Sequence, residues 1–170
     1  MGEHIGKIAA GIFSVLVMFY MMISSLALKQ EYTTQTYVDN AVQEFVDNAR
    51  AAGKISDDAY EHMIFQLDQV VDCCRVEMEL ESKYCVLDDT GTAQTYLFTN
   101  TKDEILDYIY TETGENRDYA LQIGDFLKVT VYNETPTFAT RICRLVLPNY
   151  NPNNTSIFFT YSGFVGNNIE

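Results

Sequence analysis

Residues 8–28, IAAGIFSVLVMFYMMISSLAL, carry neither charge nor proline. Twenty-one such residues wound as an α-helix would span about 31 Å, close to the hydrocarbon thickness of a bilayer. Nearly everything able to form a water-soluble core lies after this stretch. The chain is therefore expected to be a single hydrophobic N-terminal helix with a soluble body at its C-terminal end. Residues 1–52 are expected to form the hydrophobic helix with an amphipathic extension, and residues 53–170 an extracytoplasmic domain.

The charges divide unevenly about the apolar run. Of 24 acidic and 11 basic residues, only Glu3 and Lys7 precede it, so the remainder carries the whole formal net charge of −13. A body this acidic argues against a nucleic-acid partner, whose phosphates would repel it. It would also stand off an anionic membrane surface. Lys7 and the terminal amine, the only positive charges before the run, place the N-terminus in the cytoplasm and the body outside. The competing reading is a cleaved secretory signal with Ser25-Leu26-Ala27 as its cleavage site. Retention is favoured, because 21 apolar residues exceed the usual signal core of about 7–15.

Within the helix, Gly6, Ala10 and Ser14 recur every four residues and share one face. Small residues at that spacing allow close helix approach. A segment rich in small residues also produces the spacing by chance. If the face is used, the chain assembles with other copies through its N-terminal helix.

After residue 28 no breaker intervenes. Val38, Ala41, Val42, Phe45, Val46 and Ala49 form an apolar stripe, with Asp39, Glu44, Asp47 and Arg50 directed away. The helix is expected to continue to Ala52, with room for a bend at residues 33–36, and to stop at Gly53. Ser56 caps a second helix with Asp57 and Asp58 in its first turn. Tyr60, Met63, Ile64, Leu67, Val70 and Val71 make its apolar face.

At Val76 the period changes to two: Val76, Met78 and Leu80 alternate with Glu77, Glu79 and Glu81, the pattern of a half-buried strand. A turn at residues 88–91 leads to a strand over 92–99, and Thr101 to Glu104 reads as a capping box opening a short helix. Strands are expected over 126–132 and 138–147, joined as a hairpin by residues 133–137, with an aromatic-rich last strand over 156–164. The fold class is α+β, a long N-terminal transmembrane helix continuing into a pilin-like domain with a mainly antiparallel sheet.

Cys73, Cys74, Cys85 and Cys143 all follow the apolar run. An oxidising compartment would permit disulfides among them, each of the adjacent pair joining Cys85 or Cys143. Buried free thiols are the alternative. There is no Cys-x-x-Cys pattern with histidine partners, so no metal site is expected. Asp88 and Asp89 beside Thr90-Gly91-Thr92 carry oxygens suited to Ca²⁺, yet the spacing is not that of an EF-hand and an ordinary turn is favoured. Asn133-Glu134-Thr135 and Asn154-Thr155-Ser156 match the N-glycosylation pattern on loops.

Catalytic chemistry is poorly provided for. His4 precedes the apolar run, and His62 lies between Asp58 and Gln66 on an acidic helix face, as a solvated histidine would. No nucleophile elbow, HExxH, Walker loop or GxGxxG is present. An enzyme is not expected, and no catalytic, cofactor-binding or metal residue is assigned.

The order of elements resembles the TadE-like, pilin-like proteins encoded with tight-adherence secretion loci in Gram-positive bacteria. The similar features are the single N-terminal membrane helix, VQEFVDNARAAGKISDDAYEHMIFQL over 42–67, Gly124-Asp125-Phe126-Leu127-Lys128-Val129, and the closing Tyr161-Ser162-Gly163-Phe164-Val165. The resemblance implies a minor pilin or pseudopilin subunit of a cell-surface pilus or related secretion assembly. It also implies partners: related pilins, an assembly ATPase and platform proteins. Members typically carry a glycine cleavage position followed by a glutamate near position five of the mature helix. Here neither Gly2 nor Gly6 is followed by that glutamate, and Glu31 comes at the wrong end of the segment to replace it. The alternative function is a single-pass, membrane-anchored extracellular binding or sensor domain using Phe158, Phe159, Tyr161 and Phe164 as a contact patch.

Overall fold

A computed structural model describes residues 2–71, 73–87, 93–110, 117–135, 140, 141, 144 and 158–166. The chain divides into two compact units, Met1–Thr34 with Pro136–Ser156, and Gln35–Thr135 with Ile157–Glu170. Both draw on helix α1, Gly2–Ala52, which runs without interruption.

In the first unit the side chains of α1 are overwhelmingly exposed and apolar. Phe13, Leu16, Met18, Phe19, Met21 and Leu26 all stand open. This is the one helix among the described residues long and apolar enough to cross a bilayer, with mean hydropathy 2.1 over its most apolar stretch. The Thr33 hydroxyl donates to the Lys29 carbonyl at 2.9 Å, the back-bonding that lets a mid-helix threonine persist. Thr140, Arg141 and Arg144 are also helical. The expected strand over 138–147 is therefore corrected: Arg141 and Arg144 are both exposed, and a three-residue spacing puts them on one face of a helix but on opposite faces of a strand. The rest of that stretch lies outside the described residues.

The second unit is α+β. Strands β2 (Cys74–Leu87), β3 (Ala93–Thr101), β5 (Phe126–Asn133) and β6 (Phe158–Phe164) form one sheet in the order β3-β2-β5-β6. Every neighbouring pair is antiparallel. A smaller pairing joins β1 (Lys54–Ile55) to β4 (Tyr119–Ala120). The expected hairpin from β5 into 138–147 gives way to β5 lying between β2 and β6.

The core forms because two periods agree on one face. Val38, Ala41, Val42, Phe45, Val46 and Ala49 of α1 are all buried, as the 3.6-residue stripe requires. They join one cluster with Val76, Met78 and Leu80 of β2, Leu127, Val129 and Val131 of β5, and Met63 and Leu67 of α2 (Asp57–Asp68). The opposite sheet face is polar, with Lys128 donating to Glu79 at 2.7 Å and the Thr130 and Thr160 hydroxyls 3.0 Å apart. These are directly opposed positions, the pairs by which sheets gain cross-strand stability.

The helix ends carry the expected chemistry. Gly53 ends α1 at φ +66°, a left-handed value natural only to glycine. The Ser56 hydroxyl accepts from the Ala59 amide at 3.3 Å. Glu104 in α3 (Lys102–Ile109) accepts from the Thr101 amide at 2.7 Å, half of the capping box.

The last strand is fastened to α1. Arg50 Nε donates to the Phe164 carbonyl at 2.7 Å, and its Nη1 donates to Asp47 at 2.9 Å. A Cβ on Gly163 would stand 2.5 Å from Arg50 Cζ, so any side chain there displaces the guanidinium. Gly163→Ala should lower stability by no more than about 1 kcal/mol, since the guanidinium is the partly exposed end of a flexible side chain and can swing aside at the cost of its bond to Phe164. In an Arg50→Ala background the same change should cost almost nothing. Denaturant unfolding of the four members of the cycle checks this.

One acid on α1 is badly placed. Asp39 is half-buried, and its Oδ1 is enclosed without a hydrogen-bond partner. Burial pushes its pKa above the ordinary carboxylate value. A raised folded pKa means a contribution to stability that is present below the unfolded pKa and lost as pH rises through the folded one. Asp39→Asn should therefore be more stable than the parent at neutral pH, with the advantage vanishing on acidification towards about pH 4, the unfolded value. Thermal unfolding across pH reads the difference.

Candidate functional site

Gly6, Ala10 and Ser14 all lie exposed on α1, where their spacing of four aligns them along one side. Around Gly6 there is no other heavy atom within 4 Å of where a Cβ would sit. Met18 continues this row at the same spacing of four, Phe13 stands seven residues from Gly6 and so close to its line, and Phe19 lies round the far side, all of them exposed. Gly6, Ala10 and Ser14 thus make a short row of small residues on an otherwise bulky apolar helix surface, the local relief that lets a second helix come close.

The cysteines behave differently from the disulfide expectation. Cys73, Cys74 and Cys85 are free thiols. Cys74 and Cys85 sit on the same strand, and eleven residues of extended chain separate them by about 36 Å. No bridge can span that, since its Cα atoms must lie within about 7 Å. Cys73 immediately precedes the strand and is equally remote from Cys85. Sequence spacing could not reveal this, because the alternation at Val76 to Glu81 did not announce that β2 continues to Leu87. Cys143 lies outside the described residues. Burial, then Asp68 and Cys73, push the Cys74 thiol up, so it is held as the unreactive thiol.

His62 lines an open groove of about 390 Å³ between α1 and α2, with Glu44, Asn48, Asp58 and Gln66. Among the described residues, no group of three or more His, Cys, Asp or Glu side chains is placed to hold a metal ion. Asp88 and Asp89 lie outside the described residues, as does Asn154-Thr155-Ser156. Asn133 accepts from both the amide and the hydroxyl of Thr135, at 3.0 and 2.9 Å, in a tight local turn after β5.

The aromatic patch on β6 is divided by the pleat. Phe159 and Tyr161 pack against the core, and Tyr161 donates to Asp47 at 3.3 Å. Phe164, three residues beyond Tyr161 and so of opposite parity, faces the other side and is 56% exposed, its ring 4.8 Å from Phe126. The Phe158 side chain is not described. Residues of alternating parity cannot form one surface on a strand.

A second exposed surface was not foreseen. β2 pairs with β5 only as far as Glu81, whereas its pairing with β3 continues to Leu87. The outer part of the β2–β3 ribbon therefore has two strands only, and Tyr84, Val86, Tyr96, Leu97 and Phe98 are exposed along it. The available signal was the uncharged run from Ala93 to Thr101.

No family model, no curated protein and no solved structure matches the chain. What it does is therefore argued from these surfaces.

Proposed function

We propose that the chain is a membrane-anchored structural subunit of the pilin-like, TadE-like kind, built into a cell-surface pilus or related secretion assembly through the N-terminal half of α1. The observation that carries this reading is the division of labour along one helix. The first half exposes apolar side chains, and the second half supplies a buried stripe to an antiparallel α+β body. A helix used only as a packing element of a soluble protein would bury the first half too.

In this reading the helix spans the cell membrane once, with the acidic body outside. Assembly exchanges lipid contacts for helix contacts along Gly6, Ala10 and Ser14. The other participants are copies of the chain, related pilins, and the ATPase and platform proteins that such assemblies use. No cofactor and no catalytic step is assigned. The exposed aromatics of the β2–β3 ribbon favour a second reading, an anchored extracellular binding or sensor domain.

Electron microscopy of material sheared from the cell surface separates the two. Filaments containing the chain support the first, and a species retained wholly in the membrane fraction supports the second. Ala10→Leu sharpens the test, because it keeps the segment apolar while filling the strip. It should leave insertion and body folding intact and abolish crosslinked oligomers of the helix. Oligomers undiminished in that variant would remove the strip from the assembly.

A further inference from the structure

Among the described residues, β3 is an edge of the four-stranded sheet, and its outward backbone groups take part in no ladder. Soluble proteins usually blunt such an edge with lysine, proline, a bulge or a covering loop. The sequence AQTYLFTNT contains no charge, no proline and no glycine, although it belongs to a chain of net charge −13. Seven of its first eight positions, like the ninth, are exposed, Asn100 alone being half-buried.

The strand is also a chemical palindrome. Turned antiparallel upon itself about Leu97, it matches Tyr96 with Phe98, Thr95 with Thr99, Gln94 with Asn100 and Ala93 with Thr101, while Leu97 meets Leu97. Aromatic, hydroxyl, amide and aliphatic groups thus meet their own kind at every pair but Ala93 with Thr101. Aromatic–aromatic and Thr–Thr pairs are among the cross-strand pairs that stabilise antiparallel sheets.

We propose that β3 pairs antiparallel with β3 of a second copy of this chain, about a two-fold axis at Leu97, joining two sheets into one of eight strands. The pairing is isologous, so it closes as a dimer. It supplies at most about eight backbone hydrogen bonds, two for each alternate residue pair less the two that would need the Thr101 amide, which already donates to Glu104. It also doubles the outer ribbon from two strands to four, above the number at which such a ribbon stands alone in water. Tyr84, directly opposite Tyr96 in β2, extends the aromatic row on one face, so that each copy brings Tyr84, Tyr96 and Phe98. The inference concerns the body alone and holds whether α1 serves as a filament element or as a plain anchor.

Two acidic bodies repel at a distance, which makes the occupant distinguishable. A dimer of this chain tightens as added salt screens the repulsion, whereas a basic partner is released by the same salt. The test uses the full chain in detergent with Cys73, Cys74, Cys85 and Cys143 replaced by serine. Leu97→Cys places two thiols across the axis, where Cα atoms of paired strands lie within disulfide range. Under mild oxidation it should crosslink at least about tenfold faster than Phe65→Cys, an equally exposed position on α2 that pairing leaves apart. Leu97→Lys opposes two cations at the axis and should give a monomeric body with an unchanged circular dichroism spectrum. Equal crosslinking at Leu97→Cys and Phe65→Cys, as association through α1 alone produces, overturns the proposal. So does a dimer of the Ala10→Leu chain, in which association through α1 is blocked, that survives Leu97→Lys or weakens with salt.

Discussion

Val46→Asp should leave the body unfolded. Val46 is fully enclosed among the α1 stripe and the sheet. A carboxylate there has no partner, so it must lose its hydration or take up a proton, and either course costs several kcal/mol. Set against a total stability of about 5–15 kcal/mol for an ordinary domain, one such residue removes most of the margin. Val46→Ala should be far milder, at about 2 kcal/mol, since it removes two methyl groups and leaves a small void. At the adjacent position, Asp47→Val should be tolerated, because that side chain is about half exposed; the loss is confined to its bonds with Arg50 and Tyr161. Limited proteolysis and denaturant melts in detergent should rank the three with the aspartate variant far below the others. A Val46→Asp protein as protease-resistant as the parent would mean that the α1 stripe does not carry the core.

The second large effect concerns the other half of the same helix. Leu16→Arg with Phe19→Arg places two guanidinium groups near the middle of the apolar segment. Each costs about 2.5–3.5 kcal/mol at the centre of a spanning helix, against only 0.3–0.6 kcal/mol gained per large apolar residue. The pair should convert a protein that resists alkaline extraction from membranes into one that is released or degraded. Both positions are exposed on α1, so the body should retain its own unfolding transition. If the parent chain is itself released by alkali, the helix is not a span. Mass measurement of the mature N-terminus then shows whether it was removed as a signal.

The α1 stripe, the Gly53 stop, the Ser56 cap and the Val76–Leu80 alternation were legible because each depends on local chemistry whose period or geometry survives in the folded chain. Within the expected strand over 138–147, Thr140, Arg141 and Arg144 were misread, because an apolar run with two arginines three apart satisfies either period in part; these three residues are helical. The two-residue strands β1 and β4 have no period to read; they exist because tertiary packing brings Lys54 opposite Ala120 and Ile55 opposite Tyr119. The reach of β2 beyond Ser82 was hidden because Lys83, Tyr84, Cys85 and Val86 are exposed on both faces, so burial imposes no alternation on them. That hidden length separates Cys85 from Cys74 and creates the aromatic surface. The Gly6, Ala10 and Ser14 strip, by contrast, was readable as spacing alone, and its exposure is what gives it a possible use.

The contact between Arg50 and Phe164 joins residues 114 apart in sequence. During synthesis α1 emerges before β5 and β6, so its apolar segment is exposed while those strands are still unmade. Until β6 arrives, β5 lacks one of its two neighbours and the stripe from Val38 to Ala49 lacks part of its cover. Contacts so distant in sequence form late, since the loop they close must be ordered before they give anything back. An amphipathic helix left open next to a bilayer has an interface to rest in meanwhile. Formation of α1 and closure of the body are thus separate events in time, and β6 sets when the body is complete.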